Sequence, residues 1–417
     1  MLKEYKLENG LKIVVQEDHR APVVVSQMWY RVGGADEFRG ITGISHALEH
    51  VMFLGTKQCP QDQFSKRIGK LGGYENAYTT EDQTVYYEEI GAEHLETCLA
   101  LEADRMKNLL FEPKTIDREL EVIKEERRLR VEDDPQSMTW ERFFAAAHVA
   151  GPYHHPVIGW MEDIEHLSLE DLKNWYQQFY APNHAVLIVV GDVDPEVVYG
   201  LAQKHFGALS SAAPQDPKPK KEIPVLGKRS VDVHAKAQLS YLIMGYDAPS
   251  FATTDNEAEI YGLMVLQSVL DGGLSARFEK SLIRKQQIAS SVQTQYDPFQ
   301  RYKTLFIISA IPAEKRDNTS LQQAVERELE NLQTTLISSE ELQRAKTNLI
   351  ADYIYDKDSI SNQAMQLGLW VSLGHSAQKS QEFEEKIQAV SAKALQTVAQ
   401  KYLTLKRQTV ANLIPEP

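Results

Sequence analysis

Two histidines and a glutamate share one short segment, Gly43-Ile44-Ser45-His46-Ala47-Leu48-Glu49-His50-Val51-Met52-Phe53. At about 100° per helical residue, His50 falls about 40° and Glu49 about 60° from His46. Ile44, Leu48, Val51 and Met52 fall on the opposite side, so the segment reads as a helix with one chemical face and one apolar face. Histidines one turn apart can reach the same metal ion. Glu49 shares that face without having to ligate. It could hold a water at an open coordination position and accept its proton. The order H-x-x-E-H reverses the H-E-x-x-H zinc motif and is the inverzincin arrangement. The bland alternative is a helix with two surface histidines. Apolar flanks argue against it, because they call for burial and a buried triad with no partner is costly.

Such a site needs a third ligand. The stretch from Thr115 to Leu129 reads as a helix on which Glu119 and Glu126 lie about 20° apart. The same arc takes Ile116, Leu120, Val122, Ile123 and Leu129, while Glu121, Lys124 and Arg128 fall opposite and Glu125 sits at the edge. Two carboxylates in an apolar stripe make a poor surface and an expensive core unless a cation awaits them. Either is a candidate ligand.

The surrounding elements follow from periodicity. Strand patterns cover 11–16, 23–31, 84–90, 185–191, 230–235, 239–246, 304–310 and 408–413. Helical patterns cover 42–54, 61–71, 93–109, 114–131, 168–180, 256–270, 276–285, 319–335, 339–354 and 389–403. Their irregular alternation predicts an α+β fold, with two homologous α/β halves that each carry a mixed sheet covered by helices. The proline-bearing segment 211–227 reads as a linker between residues 1–210 and 228–417. The halves also end alike. Ser168 and Ser391 are both candidate helix caps, and Leu172, Trp175 and Phe179 match Leu395, Val398 and Tyr402 at one constant offset.

Composition narrows the function. The 45 Lys plus Arg against 59 Asp plus Glu leave a net charge of -14, which excludes an ordinary nucleic-acid binder. Gly272-Gly273 is too little for a phosphate loop. No apolar run approaches the roughly 20 residues of a membrane span. Cys59 and Cys98 are too few for a disulfide framework. No signal peptide is visible, though one could have been removed before residue 1.

On the H-x-x-E-H segment and the paired glutamates, the chain resembles the zinc metallopeptidase family of pitrilysin, insulin-degrading enzyme and mitochondrial processing peptidase. It is most similar to the bacterial members of this chain length. The resemblance implies one Zn²⁺ per chain on His46, His50 and Glu126. It makes Glu49 the catalytic base and Glu119 a residue that orients a ligand. The segment Gly72 to Thr84 is similar to the family's edge strand beside the metal, which implies substrate contacts at Asn76 and Ala77 and pairing of a peptide backbone by strand addition. Pro152-Tyr153-His154-His155-Pro156 is similar to a family loop, and both histidines are read as structural. The implied activity is endopeptidase cleavage of short or unfolded polypeptides in a closed chamber.

The second half departs from the pattern. Val265-Leu266-Gln267-Ser268 stands where a second H-x-x-E-H would fall. Ile283 and Ser290 occupy the places of a substrate-holding Arg and Tyr, with Arg284 and Tyr296 as the available substitutes. A second homologous chain carrying that pair is therefore the expected partner, as a heterodimer or alternatively a homodimer. The competing reading is a structural or non-catalytic zinc-binding subunit. The resemblance favours the periplasm, with cytoplasm or mitochondrial matrix as alternatives.

Overall fold

The computed structural model describes residues 1–213 and 220–416. Part of the predicted linker, 214–219, lies outside the described residues, as does residue 417. The chain forms two compact units. Among the described residues, the first comprises 1–127, 155–213 and 356–380; the second comprises 128–154, 220–355 and 381–416.

The first unit holds strands β1 (Leu2–Lys6), β2 (Lys12–Glu17), β3 (Val23–Tyr30), β4 (Tyr74–Thr79), β5 (Thr84–Gly91) and β6 (Ala185–Gly191). They lie in the order β1-β2-β6-β3-β5-β4, antiparallel except for the parallel pair β2–β6. The second unit holds β7 (Arg229–Lys236), β8 (Tyr241–Ala248), β9 (Ala289–Tyr296), β10 (Thr304–Pro312) and β11 (Gln408–Glu416). Its order is β7-β11-β8-β10-β9, and its one parallel pair is β7–β11. The run β2-β6-β3-β5-β4 thus recurs as β7-β11-β8-β10-β9 with the parallel pair in the same place, as duplication of one α/β unit requires. Ser168 and Ser391 cap the matching helices Leu169–Phe179 and Ala392–Tyr402 by accepting from the N–H groups of Asp171 and Ala394.

The two compact units are woven from both halves of the chain. Strands β3 and β6 are buried on both faces, so each sheet needs helices on both sides. The helix Ile360–Ser372, from late in the chain, covers one face of the first sheet with Ala364, Leu367 and Val371 against Val25, Trp29 and Ile188. Gly368 is required there: a Cβ would lie 2.2 Å from the Trp29 ring. The helix Pro135–Ala147 serves the second sheet in turn, packing Phe143 and Ala147 on Ile243, Leu305 and Ala411.

Candidate metal centre

The helix Ile44–Val51 carries the H-x-x-E-H residues, and its apolar face is fully buried through Ile44, Ala47, Leu48 and Val51. It begins at Gly43, whose φ of 86° lies in the left-handed region that favours glycine. A Cβ on Gly43 would meet the Ile158 carbonyl at 2.3 Å, and one on Gly159 would meet the Thr42 carbonyl at the same distance. Because Gly43 has no side chain to cap the helix, the buried Glu37 does so. The N–H groups of Gly43 and Ser45 donate to its two oxygens at 2.7 and 2.9 Å. Burial pushes the Glu37 carboxyl up to about 8 against the pull of those hydrogen bonds. His155 Nδ1 lies 3.8 Å from the same carboxylate.

On the chemical face, His46 and His50 stand with ring centroids 4.7 Å apart and planes at 66°. Glu126, on the helix Pro113–Arg127, brings Oε2 to 3.7 Å from His46 Nε2 and 3.4 Å from His50 Nε2. One ligand atom from each of the three lies within 4.8 Å of the others. Two imidazole nitrogens and one carboxylate oxygen are the donor set of a catalytic zinc site with an open position, so these residues fit the ion. Glu119 Oε1 sits 2.8 Å from His50 Nδ1. With one proton held on Nδ1 by Glu119, Nε2, which faces Glu126, is the nitrogen available to a metal once its own proton is displaced. Burial opposes charge on His50, but hydrogen bonds to Glu119 and Glu126 outweigh it and raise its pKa to about 9. That is the field of a site prepared for a cation.

Glu49 lies near both His50 and Glu126. Its Oε2 accepts from the Thr79 hydroxyl at 2.5 Å. Burial raises the Glu49 pKa, and the Thr79 hydrogen bond and the nearby His50 act in the opposite direction. Thr79 ends β4, which pairs only with β5 among the described residues, leaving its other edge open. Alternation along β4 puts Ala77 on the Thr79 side, packed against the core that holds the site helix. Asn76 falls on the opposite face with Tyr74 and Tyr78, whose hydroxyls reach Glu89 and Met365. The side chain of Asn76 is therefore not gathered with the metal residues, and its Oδ1 accepts from Ala77 N.

The ligand helix corrects the expected arc. Its buried stripe is Ile116, Leu120, Ile123 and Arg127, whereas Val122 is 52% and Leu129 is 69% exposed. The stripe is narrower than the wheel suggested and is centred away from the glutamates. Glu119 and Glu126 therefore sit at its edge, where they can reach His50. Glu121 and Glu125 are exposed, as expected. Arg127 donates to the Gly159 carbonyl at 2.8 Å, so one loop holds the end of the ligand helix and crosses the start of the histidine helix. Sequence reasoning missed Glu37, Thr79 and Arg127. Arg127 carried a signal, since it lies about 20° from Leu120 on the same wheel.

In the second unit, Ser268 donates to the Ala345 carbonyl and Gln267 to the Thr294 carbonyl. Tyr296 is buried and its hydroxyl donates to the Pro249 carbonyl at 2.7 Å. It is committed to the fold and is no substitute for a substrate-holding tyrosine. Arg284 is exposed and pairs with Glu279 at 2.8 Å. His154 Nδ1 meets the Gly151 carbonyl at 2.9 Å, in keeping with a structural role.

Known proteins match the chain over most of its length. Residues 12–159 match the family described as insulinase, peptidase family M16, and residues 166–349 match the peptidase M16 inactive domain. The chain is 33% identical to the zinc protease PqqE of Helicobacter pylori over 367 residues, covering 86% of this chain and 80% of that protein. It is 30% identical to the beta subunit of the mitochondrial-processing peptidase of Blastocladiella emersonii over 204 residues, 49% of this chain and 44% of that one. The crystal structure of a protease from Helicobacter pylori superposes with a TM-score of 0.94 at 29% identity, covering both chains fully. A peptidase M16 inactive domain from Pseudomonas fluorescens shares the fold at a TM-score of 0.90 and 15% identity, covering 100% of this chain and 98% of that one.

Proposed function

Because the chain belongs to the M16 family of zinc metallopeptidases, we propose that it is a zinc-dependent endopeptidase acting on short or unfolded polypeptides. The observation that carries this reading is the convergence of His46, His50 and Glu126 within 4.8 Å, with Glu49 on the same helical face.

One zinc ion, held by His46, His50 and Glu126, would polarise the scissile carbonyl and acidify a water. The remaining chemistry belongs to side chains. Glu49 takes the proton of the attacking water and passes it to the leaving amine, a task suited to a carboxyl whose pKa is raised by burial. Thr79 fixes the carboxylate for that transfer. Glu119 keeps the His50 proton on Nδ1. The open edge of β4 receives the substrate as an added strand, with Ala77 beneath it and Asn76 contributing through its backbone.

A second homologous chain completes the chamber and supplies the Arg/Tyr pair, as a heterodimer in preference to a homodimer. Burial of Tyr296 supports an outside supply of that pair. The non-catalytic alternative is disfavoured by the intact set His46, Glu49, His50 and Glu126. Hydrolysis of quenched-fluorescent peptides is the test, run on the chain alone and mixed with a co-purifying relative, before and after chelation. Zinc-restored hydrolysis in either setting supports the peptidase. Full zinc loading with no hydrolysis in any mixture would leave the non-catalytic subunit.

A further inference from the structure

A cavity of about 210 Å³ opens in the second unit at the carboxyl end of β8, with Asp247, Asn256, Glu259, Lys303, Lys401 and Arg407 in its wall. Three strand ends build it. The register pairs Ala248 with Thr304 at the start of β10, and Tyr246 with Gln408 at the start of β11. Lys303 and Arg407, one residue before those strands, therefore flank Asp247 from either side. The helix Glu257–Asp271 starts at the same wall, where Asn256 Oδ1 caps the Ala258 N–H at 3.2 Å. Its N–H groups face the wall, although Glu257 and Glu259 stand in the same first turn and Asp255 also lines the cavity.

Some of these charges are already matched. Lys401 meets Glu259 at 2.7 Å, and the Tyr402 hydroxyl also donates to Glu259. Asp247 is different. It is 6% exposed, yet among the described residues no donor lies within hydrogen-bond distance of its carboxylate. Lys303, Arg407 and Arg229 act on it at longer range, against the burial and the Glu222 carboxylate that raise its pKa. Arg407 lies 5.4 Å from the centre of the Tyr402 ring. Among the described residues neither Lys303 nor Arg407 closes an ion pair. The oxygens of the Asp247 carboxylate face the cavity, where a donor from outside the protein can reach them. Strand-end cations that stop short of it leave room for a ligand carrying both signs.

We propose that this cavity binds a small zwitterion, with its ammonium on Asp247 and its carboxylate between Lys303, Arg407 and the first turn of the Glu257–Asp271 helix. Its size suits a free amino acid or a dipeptide. The proposal is independent of the peptidase reading, because binding is measured on the metal-free chain.

The test is calorimetric titration of the full chain after chelation, with alanine and with glycylglycine as probes. N-acetylated and C-amidated forms of each are the controls. Saturable binding of a zwitterion is expected, weakened tenfold or more when either end is blocked. Binding of alanine but not glycylglycine assigns a free amino acid; binding of glycylglycine assigns a short peptide. Asp247→Asn should abolish binding while raising the thermal midpoint, since desolvation disfavours the Asp247 charge. That opposite pair of effects separates lost recognition from lost folding. Absence of saturable binding by both probes, blocked forms that bind as well as the parents, or unchanged binding by Asp247→Asn would overturn the proposal.

Discussion

Oε1 of Glu119 lies 2.8 Å from Nδ1 of His50, and Nε2 of the same ring lies 3.4 Å from Glu126. One imidazole is held between two carboxylates that stand two turns apart on one helix. The spacing of Glu119 and Glu126 thus sets both the orientation of His50 and the tautomer that can ligate.

Glu119→Ala should therefore weaken zinc binding by about 10- to 100-fold, the usual effect of removing a hydrogen-bond partner from a ligating histidine. Glu119→Gln, whose amide oxygen can still accept from Nδ1, should lose less. Chelator competition measures both. Equal affinity in Glu119→Ala and the parent would show that His50 is oriented by other contacts.

Thr79→Val should lower kcat by roughly tenfold, at the lower end of what positioned proton transfer contributes, with KM little changed. The Thr79 hydrogen bond holds the Glu49 pKa down against burial. Removing it raises that pKa, so the acidic limb of the kcat/KM profile should move to higher pH. An unmoved acidic limb would detach Thr79 from Glu49.

Glu37→Ala leaves the Gly43 and Ser45 N–H groups without their acceptor at a buried helix start. The expected loss is about 1–3 kcal/mol. Denaturant titration should show it, and hydrogen exchange at Gly43 and Ser45 should accelerate selectively. Unchanged exchange there would mean that the helix start does not depend on Glu37.

His148, buried beside Glu222, has its pKa lowered to about 4 by desolvation, against the pull of that carboxylate. An unfolded histidine takes its proton near pH 6.5. Between these values the unfolded chain binds the extra proton, so this contribution is intact above about pH 6.5 and is lost as the pH falls towards 4. The loss is on the order of 3 kcal/mol. His148→Phe, which keeps an aromatic ring against Phe144 and Tyr153, should flatten that part of the stability curve. Thermal midpoints at pH 4 to 7 decide it.

The legible parts of this protein are those with strong periodicity. The face shared by His46, Glu49 and His50 is visible from pitch alone, and so are the repeated helices capped by Ser168 and Ser391. The edge strands were harder to see. Tyr74–Thr79 is largely polar and lacks a clean alternation; Ala289–Tyr296 alternates in burial only from Val292, with a threonine among its buried positions, so periodicity overlooked both, and only the family resemblance pointed to the first. The helix Pro135–Ala147 was missed because its apolar residues are spread around it. Glu37, Thr79 and Arg127 act through contacts far apart in the chain. A helical wheel has no access to such contacts, and it also overestimated the width of the stripe beside Glu126.

The most direct test of the central claim is Glu49→Gln, assayed for zinc content and for peptide hydrolysis together, under the conditions in which the parent is active. The account predicts zinc at the parent stoichiometry, because His46, His50 and Glu126 are untouched, with hydrolysis reduced to background because no carboxylate is left to carry the proton. A zinc-loaded Glu49→Gln protein that hydrolyses peptide at the parent rate would contradict it.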